Sequence, residues 1–113
     1  MNLTTDQQIL AIPAGFLTLA GAPAKVDGVP VWELSDATVG TLNPTADGLF
    51  CDFVTGAATP AGTPVRIKVT GDADLGAGVI PVSNVSEDIT IILGTRNQAV
   101  SGALSLPAPT DKP

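Results

Sequence analysis

The strongest constraint on the fold of this chain is the spacing of its apolar residues. Only two stretches of ten or more residues lack Gly and Pro, 1–12 and 82–93, so an amphipathic helix with apolar residues three and four positions apart has little room in this chain. Alternation at intervals of two recurs instead, bounded each time by turn residues. The clearest case is 65–70, where Val65, Ile67 and Val69 alternate with Arg66, Lys68 and Thr70. The pattern predicts a succession of short strands, with helices minor or absent.

The composition agrees with a small β-rich domain. The chain has 113 residues, of which 12 are Gly and 10 are Pro, and this content suits frequent turns better than helices. Hydrophobic residues make up 44% and charged residues 14%, which excludes a disordered segment. The length fits one domain with one modest core. We expect a single domain over 1–106 and a solvated, Pro-rich tail over 107–113.

The predicted strands are short and bounded by Gly and Pro. Pro81 should restrict its strand to a sheet edge, because proline cannot donate a ladder hydrogen bond. Seven to nine short strands in a chain of this size are typical of an antiparallel β-sandwich with Greek-key connections. A small barrel is the alternative. The predicted strands are 7–12, 16–20, 30–35, 39–42, 49–55, 65–70, 79–82 and 89–93, with a further one within 96–106.

Alternation also divides the apolar side chains into an inner and an outer set. Phe50 and Val54 face away from the inward set of their strand, and Phe16 faces away in its own, so these three are candidate contacts with a partner. Scattered exposure or burial against a second layer is the alternative for them. We expect the single Cys to be a buried thiol, because no His is present to activate it. The predicted core is Trp32, Leu34, Leu49, Cys51, Phe53, Val65, Ile67, Val69, Ile89, Ile91 and Leu93.

Charge and residue types exclude several classes of function. The net charge is −6, and the five basic residues are scattered, so nucleic acid is not an expected partner. With one Cys and no His, an intrachain disulfide, a Cys- or His-based zinc site and a Ser-His-Asp triad cannot form. The carboxylates lie almost entirely in turns. We expect no enzymatic activity and no cofactor.

Three weaker signals in the sequence each have a simpler explanation. Asp72 and Asp74 have a spacing that can offer oxygens to calcium, with Asp47 or Asp88 as possible helpers, but the loop is not an EF-hand and a solvated turn is favoured. Trp32 could be a sugar-stacking platform, although its strand position favours the core. The apolar stretch 9–24 imitates a signal peptide, but it lacks a basic start and is interrupted by Pro13 and Gly15. No stretch is long enough for a transmembrane helix, so we expect no membrane partner and synthesis in the cytoplasm.

One part of the sequence resembles a known family. The runs DGVPVWELSDATVGTL at 27–42, ADGL at 46–49 and GTPVRIKV at 62–69 resemble bacterial immunoglobulin-like domains, with Trp32 and Asp36 carrying most of the likeness. Segment 71–79 is similar to the form such domains take in small single-domain proteins of tailed bacteriophages. Glu33 and Leu34 depart from the family's serine run, and the first strand is shorter. The resemblance implies an all-β, Ig-like antiparallel sandwich without enzymatic activity, used for adhesion or as an accessory on virions and cell surfaces.

The resemblance and the small size lead to one functional hypothesis and two alternatives. The first is a virion accessory protein, made in the host cytoplasm, that decorates an assembled capsid by binding the major capsid protein or another virion protein. The second is an adhesion module that binds cell-surface glycans. The third is a tail structural protein that forms homo-oligomers. Segments 1–8 and 106–113 are the most able to lie across a neighbouring subunit.

Overall fold

The computed structural model describes residues 1–96 and 101–113, and within them the chain contains eight strands and no helix. The predicted all-β class is therefore confirmed. Residues 101–113 form no strand and are exposed. In chain order the strands are β1 (Asn2–Thr4), β2 (Gln8–Pro13), β3 (Asp27–Leu34), β4 (Gly40–Pro44), β5 (Phe50–Thr55), β6 (Ile67–Asp72), β7 (Pro81–Val85) and β8 (Thr90–Ile92).

Most of the strands form two antiparallel sheets of three strands each. Their orders are β2-β5-β4 and β3-β6-β7. β1 and β8 form a separate two-stranded pair that is parallel, with Asn2 opposite Thr90, so the expectation of purely antiparallel pairing was wrong at this point. A bridge between Val65 and Ile89 brings the residue before β8 alongside the residues that lead into β6.

The strand predictions failed in three places. Segment 16–20 is not a strand, because the chain turns back at Thr18 and Ala22 and retains only a bridge between Leu17 and Pro23. The strand predicted within 96–106 is absent from 101–106, and residues 97–100 of it lie outside the described residues. β1 was not predicted. Pro81 begins β7, which is an edge strand as expected.

The main core contains residues from both three-stranded sheets. Phe53 is its centre and has no exposed surface, so its burial stabilises the fold by about 1.5–3 kcal/mol. Half-buried Trp32 and Leu34 pack against this cluster. β1 and β8 contribute as well, which joins all three sheets to one core. Its buried members are Leu3, Val39, Phe53, Val65, Ile67, Ile89 and Ile91.

A second, smaller cluster lies at the other end of β6. It consists of Ala14, Phe16 and Val69, and Trp32 packs against it as well as against the main core. Phe16 is only 8% exposed, so its assignment to an outward face was wrong. The residues after β2 fold over β6, and a Cβ built on Gly71 would lie 2.9 Å from the Phe16 ring. The glycine therefore leaves room for the aromatic side chain.

The predicted core needs correction at its margins. Leu49 is 41% exposed and Leu93 is 69% exposed. Leu49 precedes β5 and follows Gly48, which has a positive φ of 70°, so it belongs to the turn and not to the strand alternation. Leu93 follows the last residue of β8, where pairing no longer fixes its direction. The remaining predicted core residues are buried or half-buried.

Candidate binding groove between two sheet edges

An apolar groove of about 260 Å³ opens between β2 and β7. These two strands are the terminal strands of their respective sheets, so the groove is bordered by one edge strand of each sheet. Its walls come from strands that are far apart in the sequence. The lining residues are Met1, Ile9, Ile12, Pro13, Ala14, Trp32, Ile67, Val69, Asn84, Val85, Ser86, Glu87 and Ile89.

Polar contacts bound the groove at both ends. At one end the Asn84 side-chain amide donates a hydrogen bond to the Ala14 carbonyl oxygen at 2.8 Å, which crosses from β7 to the end of β2. At the other end the amino group of Met1 donates to the Asp88 carbonyl oxygen at 2.9 Å and forms an ion pair with Glu87 at 3.2 Å. These polar groups are satisfied by one another.

The lining defines which chemistry the groove can accept. Its length is walled by Ile, Val and Pro side chains, and its one charged side chain is ion-paired at the rim. The volume lies below the range of about 300–1,000 Å³ typical of small-molecule pockets. The groove is therefore suited to a few aliphatic side chains and not to a charged ligand.

The backbone of β7 adds hydrogen-bonding capacity beside the groove. β7 pairs with β6 in a register that places Ser83 opposite Thr70 and Val85 opposite Lys68. The flanking bonds, Ser86 N–H to Ile67 O at 2.8 Å and Ala73 N–H to Ile80 O at 2.8 Å, fix which pairs of this ladder exchange hydrogen bonds. The N–H and C=O groups of Ser83 and Val85 consequently point away from β6. Among the described residues, no strand pairs with this edge.

The sequence-predicted contact residues Phe50 and Val54 lie elsewhere, on the outer face of β5. They are 46% and 37% exposed, respectively. Phe50 pairs with exposed Pro13, which extends the apolar surface onto β2. We call Phe50 and Val54 the outer patch; half-buried Asp52 lies between them on the same face of the strand. Phe16 is not part of it, so the structure brings together two of the three predicted contacts.

The predicted acidic loop is organised by its own backbone. Asp72 Oδ1 accepts hydrogen bonds from the N–H groups of Asp74 and Ile80, both at 2.9 Å, and Asp74 Oδ1 accepts one from Gly76 N–H at 2.8 Å. These carboxylates shape the turn between β6 and β7. Within residues 1–96 and 101–113, no group of three or more His, Cys, Asp or Glu side chains could hold a metal ion.

Other polar side chains also have local structural partners. Hydrogen bonds from Thr38 lower the pKa of Asp36, and those from the Thr45 hydroxyl and the Leu49 N–H lower the pKa of Asp47. The hydrogen bond from Arg66 lowers the pKa of Asp88. These carboxylates all cap exposed turns or pair at the surface.

Cys51 is buried, as expected from its neighbours. Its side chain is 1% exposed, and burial raises the pKa of the thiol. The thiolate, which is the reactive form, is thus disfavoured at this position.

Comparison with known proteins identifies no relative: no family model, curated protein or solved structure matches this chain. No helix among the described residues could cross a membrane.

Sequence reasoning found the outer patch but missed the groove and its boundary residues Asn84 and Met1. Only Pro81, which indicates an edge strand, pointed towards it.

Proposed function

We propose that this chain is a non-enzymatic virion accessory protein that binds the surface of an assembled shell, a capsid decoration protein. The major capsid protein, or another protein of the particle, would be its partner. The observation that carries this proposal is the outer patch, a pair of exposed apolar side chains on the outer face of the middle strand of a three-stranded sheet. An exposed apolar surface of this kind is expected where a protein meets another protein.

We propose an Ig-like sandwich with Greek-key connections, in agreement with the resemblance around Trp32 and Asp36. Two three-stranded sheets that share one core support it. The polar bond of Trp32 supports it too, because the indole Nε1 donates to the Gly48 carbonyl oxygen at 2.8 Å and so connects the second sheet to the turn between β4 and β5 of the first.

The placement of the carboxylates supports a binding role over a catalytic one. Asp36, Asp47, Asp72 and Asp74 accept hydrogen bonds from the backbone of their own turns. Each of these carboxylates is therefore engaged in holding the backbone of its own surface turn. Protein contact by apolar side chains is the chemistry that remains for the outer patch.

The direct test is quantitative mass spectrometry of purified particles from the organism that encodes the chain, scaled to the major capsid protein. We expect one copy per capsid subunit or per few subunits. A few copies per particle would indicate a tail or adhesion role instead. Complete absence from the particles would overturn the proposal.

A binding experiment tests whether the outer patch is the contact. Shells lacking this protein are sedimented with the purified chain carrying Phe50→Ser and Val54→Thr, and we expect at least a tenfold loss of affinity. Leu75→Ser is the matched control, because Leu75 is exposed in the turn between β6 and β7 and is remote from β5 in the chain. Wild-type affinity for the double variant would remove the outer patch from the proposal.

A further inference from the structure

The described C-terminal segment carries apolar side chains that its own chain leaves exposed. Leu104 is 90% exposed and Leu106 is 84% exposed. They stand two residues apart, so in an extended conformation both point to the same side. Segment 97–106, NQAVSGALSL, contains no charged residue. The segment thus has the composition of a strand with one apolar face.

The groove and the adjacent edge of β7 provide an apolar surface and free backbone groups that such a strand could contact. Most of its lining residues are apolar and its only charged side chain is ion-paired, so a neutral apolar face enters it without leaving a charge unpaired. Ser83 and Val85 present outward N–H and C=O groups on the edge of β7. An added strand beside β7 would satisfy these groups while its alternate side chains enter the groove, which is the geometry of strand addition to a sheet edge.

We propose that residues 101–106 of a second copy of this chain add to the β7 edge and place Leu104 and Leu106 in the groove between β2 and β7. In the single chain the groove is open and both leucines are exposed, so the two surfaces complement each other without being joined. Reciprocal exchange between two copies fills both grooves and forms a closed symmetric dimer. It also protects an edge strand that would otherwise be available for uncontrolled pairing.

This inference rests on the groove and the C-terminal segment and is independent of the virion proposal. Because it concerns the purified chain alone, it can be tested without particles. Success or failure here leaves the interpretation of the outer patch unchanged.

The first test is the concentration dependence of the molecular mass, measured by analytical ultracentrifugation. The full chain is expected to dimerise. A variant with Leu104→Asp and Leu106→Asp should weaken the dimer at least tenfold while its circular dichroism spectrum stays that of the wild type. The Leu75→Asp variant is the control and should dimerise normally, because Leu75 is exposed and lies outside both the groove and the C-terminal segment. A chain that stays monomeric, or a dimer indifferent to the double substitution, would overturn the proposal.

The second test identifies which copy supplies the strand. One chain carries Val85→Cys and another Ser105→Cys, and the two are mixed under mild oxidation, with buried Cys51 left in place. We expect a disulfide-linked dimer in the mixture. A chain carrying both substitutions should also give linked dimers. If dilution gives only an internally linked monomer, the segment occupies its own groove and the second-copy assignment is wrong.

Discussion

The indole Nε1 of Trp32 and the carbonyl oxygen of Gly48 lie 2.8 Å apart and form a hydrogen bond between β3 and the turn that joins β4 to β5. Trp32→Phe keeps an aromatic ring and removes the donor. We expect it to lower the free energy of unfolding by about 1–3 kcal/mol, because a partly buried carbonyl loses its partner. Urea unfolding followed by circular dichroism measures this. Unchanged stability would mean that the bond contributes nothing beyond packing.

Gly48 itself is held by close contacts as well as by its backbone angle. Its φ is 70°, and a Cβ there would lie 2.8 Å from both Pro30 Cδ and Val29 Cγ1. Gly48→Ala should destabilise the fold by more than about 1 kcal/mol. Gly62→Ala is the matched control, since Gly62 has a φ of 75° but nothing within 4 Å of its added Cβ. Equal losses for the two variants would show that strain alone acts at Gly48.

Phe53 and Leu93 should contribute very differently to the free energy of unfolding. Phe53→Ala should lower the free energy of unfolding by about 3–5 kcal/mol, because it leaves a cavity at a fully buried site. Leu93→Ala should change it by no more than about 0.5 kcal/mol, because Leu93 is exposed. Denaturant titration of both variants provides the measurement. Similar losses would restore Leu93 to the core.

Acid should destabilise the protein through three exposed carboxyls. The pKa values of Asp36, Asp47 and Asp88 are lowered in the folded state, so the unfolded chain binds protons first as the pH falls. Their contribution is fully present above the unfolded pKa of about 3.9 and is lost as the pH falls through the lower folded values. We expect unfolding midpoints in urea to decrease below about pH 4.

Asp88→Asn separates the contribution of the Arg66 pair to this acid effect. The variant should show a weaker pH dependence than the wild type, because the carboxyl that Arg66 stabilises is gone. Asp111→Asn, in the exposed C-terminal segment, is the control and should follow the wild-type profile. A profile for Asp88→Asn that matches the wild type would remove this pair from the explanation.

We expect the buried Cys51 thiol to react slowly with thiol reagents in the folded protein. Cys51 should react with a thiol reagent far more slowly in the folded protein than in urea, because burial both blocks access and raises the thiol pKa. The rate of labelling with and without denaturant measures this. Rapid labelling of the native protein would show that β5 opens readily.

The sequence predicted the strands in which alternation extends over several residues. β5 and β6 were found because Cys51 and Phe53, like Ile67 and Val69, recur at intervals of two on the buried face. β1 was missed because it has three residues and a single buried one, Leu3. Phe16 was assigned to the wrong face because a local pattern does not indicate that the chain turns back onto Gly71.

The groove could not be predicted because it is a product of strand order. Ile12 and Asn84 line the same cavity although they belong to different sheets. No spacing within either segment indicates that β2 and β7 are both terminal strands on the same side. Outward-facing Phe50 and Val54 were predictable because their own strand determines their direction.

The parallel pairing of β1 with β8 constrains how this protein can be made. The first residue bonds to Asp88, 87 positions along the chain, so β1 has no partner until almost the whole domain has left the ribosome. Contacts between such distant segments require closing a long loop, which slows folding. The sheet formed by β2, β5 and β4 can assemble during synthesis. Leu3 can pair with Ile91 only after β8 has been synthesised. The core can therefore be completed only after β8 has been synthesised, and a translation pause before β8 would leave the core without Ile91 and β1 without its partner strand.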